Sequence, residues 1–137
     1  TRVEDPAALL AALAGVLSAD GMLSLGFANR DWLALRAGRR GDHATALRLV
    51  AGGEAMVLAE VEVELDKAGF ELVTASGVGV FADADAGDDD LDRGELAALV
   101  ELERLVAGRE PYRSSARTLH LLARRRVVRP ELPGDSL

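Results

Sequence analysis

The side chains best suited to chemistry gather late in the chain. Tyr112, Arg113, Ser114, Ser115, Arg117 and His120 lie close together, and Arg109, Arg113, Arg117, Arg124, Arg125, Arg126 and Arg129 share their segment with one acid, Glu110. A guanidinium is a planar fork of donors that a carboxylate or phosphate fills, and a phenol adds a further donor. An anionic substrate is therefore expected to meet this C-terminal face. Ser114, Ser115 and His120 invite a serine-hydrolase reading, but no glycine elbow surrounds the serines and no acid is placed to orient the histidine. His120 sits in the apolar run Thr118–Ala123, which reads equally as a hydrogen-bonded core histidine. Trp32, on a short helix, reads first as packing and second as a platform for a base or cofactor ring.

Several chemistries are closed off. The chain has no cysteine, so disulfides, thiolate metal sites and cysteine nucleophiles are absent. His43 and His120 are far apart, which disfavours a histidine-based metal site. The formal net charge is -7, so the chain is not a general nucleic-acid wrapper. Six aspartates and no base fall between Asp83 and Asp92. That stretch reads as a solvated loop, 83–92, with the composition of an EF-hand but the wrong register: its glycine comes one place early and Glu95 one place late. Weak binding of a divalent ion, as in a calcium-responsive acidic module, stays open as a reading of those residues.

These groups need elements to hold them. The 137 residues, 49% apolar, suit one globular domain. No run approaches the roughly 20 apolar residues of a membrane span, and no signal-like start is seen, so the expected location is the cytoplasm and no membrane partner is expected. Asp5-Pro6 opens a helix carrying Leu9, Leu10, Leu13, Val16 and Leu17 at helical spacing. Met22–Phe27 reads as a strand buried on both faces. Residues 29–37 and 42–51 read as two short helices within a cap, 28–53, over a site. A helix is expected over 54–68, closed by Gly69, then a strand over 70–75 and a separate run over 78–81. Leu91–Val106 is an amphipathic helix, Thr118–Ala123 a buried strand, and 127–137 a tail following a domain of 1–126.

This order is α/β, but Met22–Phe27 has no strand to pair with on its outer side, which suits the second half of a doubly wound sheet. Specific blocks add to that reading: Val3-Glu4-Asp5-Pro6, Leu23-Ser24-Leu25-Gly26-Phe27-Ala28-Asn29, Ala68-Gly69-Phe70-Glu71, Gly77-Val78-Gly79-Val80-Phe81-Ala82-Asp83, Leu99-Val100-Glu101-Leu102-Glu103, and Arg109-Glu110-Pro111-Tyr112-Arg113-Ser114-Ser115-Ala116-Arg117 leading to His120. In these the chain resembles the C-terminal half of class I S-adenosylmethionine-dependent methyltransferases, through positions 3 to 126, and within them the bacterial tRNA 5-carboxymethoxyuridine methyltransferase family. The Glu-Pro-Tyr block with its Arg and His is the specific part.

The resemblance implies a Rossmann-like sheet of which this chain holds the fifth to seventh strands, the last antiparallel and between the other two. It implies S-adenosylmethionine as cofactor, bound mostly by an absent N-terminal half that carries the glycine-rich loop and the ribose-gripping acid; this chain has no G-x-G-x-x-G. Tyr112 and Arg113 would sit near the acceptor, Arg117 and His120 would support them, and Asn29 would lie at the carboxyl edge where such sheets keep their sites. No residue would act as a general base, since a carboxylate acceptor needs only positioning. The implied partners are the missing half, or another chain pairing with 22–27, and tRNA; the chain alone would be inactive. Where the family has Phe-Tyr-Asn and Gly-Val-Arg-Val-Phe-His, this chain has Phe27-Ala28-Asn29 and Gly77-Val78-Gly79-Val80-Phe81-Ala82. A non-catalytic interaction module using an exposed sheet edge is the alternative.

Overall fold

A computed structural model describes residues 5–52, 54–82 and 91–127. The acidic stretch 83–90, with the calcium-loop reading that rests on it, and the tail from 128 onward lie outside the described residues. The chain is mixed α/β, with helices α1 (Pro6–Val16), α2 (Arg30–Arg39), α3 (His43–Val50), α4 (Leu58–Lys67) and α5 (Arg93–Val106), and strands β1 (Met22–Ala28), β2 (Phe70–Val78) and β3 (Thr118–Arg125).

Local chemistry fixes most boundaries. The Asp5 carboxylate accepts from the Ala8 N–H at 3.1 Å and Pro6 supplies the first helical turn of α1. Asp92 and Glu95 bond each other's backbone N–H reciprocally, at 2.8 and 3.0 Å, and so start α5. Gly69, at φ +84°, ends α4 in the left-handed region. The helix expected from residue 54 begins instead at Leu58, because the backbone before it is already engaged: Met56 bridges Asn29 and its carbonyl accepts from the Arg30 N–H at 3.1 Å, while the Ala55 carbonyl accepts from the Arg30 guanidinium at 3.1 Å.

The three strands form one sheet in the order β1-β3-β2, with β3 antiparallel to both neighbours. β1 and β2 therefore run parallel to each other, one strand apart. Residues 70–78 make one strand, not two: a register shift between Leu72 and Thr74 absorbs the irregularity, and the break comes only at Gly79, φ +73°. Along its length β1 is paired on one side among the described residues; its outer edge is met only by the bridge from Met56 to Asn29.

Leu10, Leu23, Val61, Leu65, Phe70, Ala75, Leu121 and Ala123 form the core, on the sheet face covered by α1 and α4. The expectation that Met22–Phe27 is buried on both faces does not hold. Leu23 is buried and Leu25 and Phe27 half-buried, whereas Met22, Ser24, Gly26 and Ala28 are exposed. The reason is the period of two: Ser24 and Gly26 interrupt the apolar run on alternate positions, leaving one face polar. α5 forms where the amphipathic pattern expects it, but among the described residues only its Val106 is buried, while Leu96, Val100 and Leu105 are 49%, 60% and 50% exposed. It is fixed through its last turns, as the next section describes.

Gly77 marks a close approach. A Cβ there would lie 2.7 Å from the Ala116 Cβ and 3.0 Å from the Arg113 Cα. The Gly77 N–H also donates to the Ala107 carbonyl at 2.7 Å, so β2 cannot retreat freely. Gly77→Ala is expected to cost about 1–3 kcal/mol by overpacking, read as a lower urea midpoint with unchanged m-value. An unchanged midpoint would show that the 113–116 turn yields.

Candidate functional site

The carboxyl ends of β1 and β2 and the start of β3 lie at one edge of the sheet. Asn29 follows β1 there and is 1% exposed. Its carboxamide donates to the Ser114 carbonyl at 2.7 Å and the Ala116 carbonyl at 2.9 Å, and its oxygen accepts from the Asp31 N–H at 3.1 Å, capping α2. Its own N–H donates to the Arg117 carbonyl at 3.1 Å. One side chain thus joins β1, α2 and the turn before β3, and both its donors are spent in doing so.

The turn itself, a 3-10 segment at Arg113–Ser115, is held by Glu110. That carboxylate accepts from the Ser114 hydroxyl at 2.5 Å and from Arg113, whose Nε and Nη2 stand at 2.8 and 2.6 Å. The Ser114 bond, against a smaller opposing effect of burial and with help from Arg113, holds the Glu110 carboxyl below the ordinary glutamate range. The Ser115 hydroxyl donates to the Pro111 carbonyl at 3.0 Å. Neither serine faces His120. That histidine bonds Ser24 instead, Nε2 to Oγ at 2.8 Å, on the sheet face opposite the core, across from Gly26 and Ser76. Ser114 and Ser115 therefore form no nucleophile–base pair with His120.

A second clamp acts from α5. The Glu103 carboxylate accepts from the backbone N–H groups of Val80, Phe81 and Ala82 at 3.0, 2.6 and 2.9 Å. Burial works against its ionisation, but these bonds together outweigh it and keep the carboxyl below the ordinary range. Phe81 is thereby fixed against Tyr112, ring centroids 5.7 Å apart and tilted by 44°.

Between these two clamps and α2 lies a cleft of about 500 Å³, lined by Trp32, Leu35, Arg36, Arg39, Arg40, Val80, Phe81, Ala82, Tyr112 and Ser115. Residues 32, 35, 36 and 39 share one helical stripe, which faces the cleft. The Arg36 guanidinium lies 5.2 Å from the centroid of the Trp32 ring. Among the described lining residues there is no carboxylate.

Of the residues singled out in the sequence, the structure brings Tyr112, Ser115 and Trp32 into this cleft. Arg113 lies behind it, paired with Glu110; Asn29 is buried beneath; Arg117 is exposed beside Gly79, with its N–H donating to the Gly79 carbonyl at 3.1 Å. His120 stands apart, half-buried on the sheet face opposite the core. The Arg124 and Arg126 side chains are paired with Glu71 and Asp66. Arg36, Arg39, Arg40 and Phe81 were not singled out by chemistry along the sequence, although the spacing Trp32, Leu35, Arg36, Arg39 was there to be read.

The described residues do not fit S-adenosylmethionine. No glycine-rich strand-loop-helix that would cradle it is among them. No group of three or more His, Cys, Asp or Glu suitable for a metal occurs among the described residues. No described helix is long and apolar enough to cross a membrane. Comparison with protein-family models and with curated proteins finds no match to this chain.

Proposed function

We propose that the chain is the acceptor-binding half of an S-adenosylmethionine-dependent methyltransferase, with the cofactor held by polypeptide other than the described residues. The observation that carries the reading is the sheet: two parallel strands separated by an antiparallel third, with the ligand cleft at the carboxyl ends of the parallel pair. Two features support it. Among the described residues the outer edge of β1 has no strand paired along it, and an apolar furrow of about 350 Å³ beside it is lined by Leu9, Leu10, Leu25, Phe27, Met56 and Val61, among others. The sheet face opposite the core is exposed at Ser24 and Gly26 among the described residues.

Methyl transfer from an activated sulfonium is chiefly a matter of alignment and water exclusion. This chain's share is to bind and orient an anionic acceptor, for which a modified uridine carboxylate on tRNA is the candidate the sequence resemblance supplies. Tyr112 is the acceptor-facing hydroxyl, and Arg113, Asn29 and Glu110 are positioning residues behind it.

Titration of the chain with S-adenosylhomocysteine is expected to give no submillimolar binding; such binding would overturn the division of labour. Mixed with a polypeptide carrying a glycine-rich strand-loop-helix, the chain is expected to form a complex that methylates tRNA bearing carboxymethoxyuridine. A complex without transfer would instead favour the second reading, a strand-addition module, which the free edge of β1 also suits.

A further inference from the structure

We infer that the outer edge of β1 pairs antiparallel with β1 of a second copy of this chain, joining two three-stranded sheets across a two-fold axis. Between Asp5 and Arg30 the sequence carries one charged residue, Asp20, in a chain that is 28% charged. That stretch is α1, β1 and the turn between them. A helix that is apolar all round belongs in an interior. α1 has no polar side chain from Pro6 to Val16, yet only Leu10 is buried, while Leu9 is 38% and Val16 81% exposed.

The edge beside it is equally unguarded. Edge strands are ordinarily protected by charge, proline or a bulge. β1 has none of these: it is uncharged throughout, and its pairing with β3 is unbroken from Met22 to Ala28. The furrow next to it, where Pro6, Leu9 and Leu10 of α1 meet Leu25 and Phe27, is apolar apart from Glu54.

Charge selects the occupant. Two copies of a chain with a net charge of -7 repel over most approaches, and the surface of α1 and β1 is where they meet almost without charge. A strand edge is also its own complement, because a two-fold axis sets each N–H against a carbonyl. The bridge from Met56 to Asn29 occupies the carboxyl end of the edge, so the pairing centres on Ser24. Leu23 then meets Leu25 of the second copy, and symmetry repeats the contact. Both residues lie on the core side, Leu23 buried and Leu25 half-buried, so the two cores become continuous. Seven residues of strand span about 23 Å, and α1 adds a helix about 10 Å wide. Such a contact is at the small end of specific interfaces, and micromolar association is expected.

The inference goes beyond the methyl-transfer reading and does not rest on it. A polypeptide bearing the cofactor site would have to displace the second copy, which makes self-pairing a resting state of the same edge. Sedimentation equilibrium of the chain alone tests it without any transfer assay. Between about 1 and 100 µM the mass is expected to rise from one chain to two. Val16→Glu with Met22→Glu, both exposed on the proposed surface, is expected to weaken association about tenfold or more. Leu47→Glu with Val50→Glu sets the same charge on α3, where both residues are 72% exposed, and is expected to leave association unchanged. Far-UV circular dichroism checks that the variants are folded. Should Val16→Glu with Met22→Glu not be, Ser24→Cys decides. The chain has no cysteine, so oxidation can link two copies only through the introduced thiol. A linked dimer is expected from Ser24→Cys and not from Leu47→Cys. A chain monomeric throughout, equal loss from both pairs of charges, or Ser24→Cys linking no better than Leu47→Cys would overturn the proposal.

Discussion

Asn29→Ala is expected to destabilise the protein by about 3–5 kcal/mol, more than any other single polar substitution in the described residues, because three bonds to one buried side chain fail together. The carbonyls of Ser114 and Ala116 would each lose a donor at 2.7 and 2.9 Å, and α2 would lose its cap. Burial makes these losses costly: Asn29 is 1% exposed and Ala116 is fully buried, so the Ala116 carbonyl would be left without a ready substitute donor. Asn29→Asp tests the mechanism. It keeps the cap acceptor and the size, but sets a carboxylate against two carbonyl oxygens, and should cost at least as much as alanine. Chemical denaturation of both variants reads the effect. A loss below about 1 kcal/mol for Asn29→Ala would mean that the turn before β3 is held by other means.

Glu103→Gln is expected to loosen residues 80–82 and with them the aromatic wall of the cleft. One carboxylate accepts from three backbone N–H groups at 2.6–3.0 Å; a neutral amide has one oxygen for the same work. The site is half-buried, so the cost is about 1–2 kcal/mol after allowance for solvent. The larger effect is local. Amide hydrogen exchange at Val80, Phe81 and Ala82 should accelerate about tenfold or more, and Tyr112 should lose its contact with Phe81. The carboxyl titrates below its unfolded value, so its contribution is complete above the ordinary glutamate range and disappears as pH falls through the folded value. Glu60 and Glu110 are lowered in the same sense, Glu60 first by its bond from Arg30 and Glu110 first by that from Ser114. Acid should therefore weaken the protein in stages, and Glu103→Gln should flatten that part of the pH profile which reports on residues 80–82. A profile identical to that of the unaltered chain would contradict the assignment.

How much of this was legible beforehand depended on the range of the interaction. Asp5-Pro6 and Gly69 announce themselves because caps are local, and the expected boundaries near them fall within a residue or two. The start of α4 was not legible: Ala55 and Met56 are claimed by Arg30 and Asn29, partners far away in sequence. The outward polarity of β1 was written in Ser24 and Gly26 but hidden by reading Met22–Phe27 as one apolar run. For the site, Tyr112 stood out as a lone phenol amid arginines. Arg113 stood out equally, yet Glu110, one helical turn earlier, takes its fork. The arginines of α2 do not stand out in a segment's net charge, because a helix distributes charge by face. The anchoring of α5 through Glu103 could not be seen at all, since it joins a side chain to main-chain groups that carry no sequence signature.

The place of β3 in the sheet has a consequence for how the molecule is made. Among the described residues neither flanking strand pairs with the other, and each finds its ladder on β3, the last of the three. During synthesis the first two strands must wait, unzipped, until almost all of the described chain has left the ribosome. Assembly is then a single late event in which one arriving segment closes two long loops at once, and the waiting interval is when the protein most needs to be kept from its neighbours.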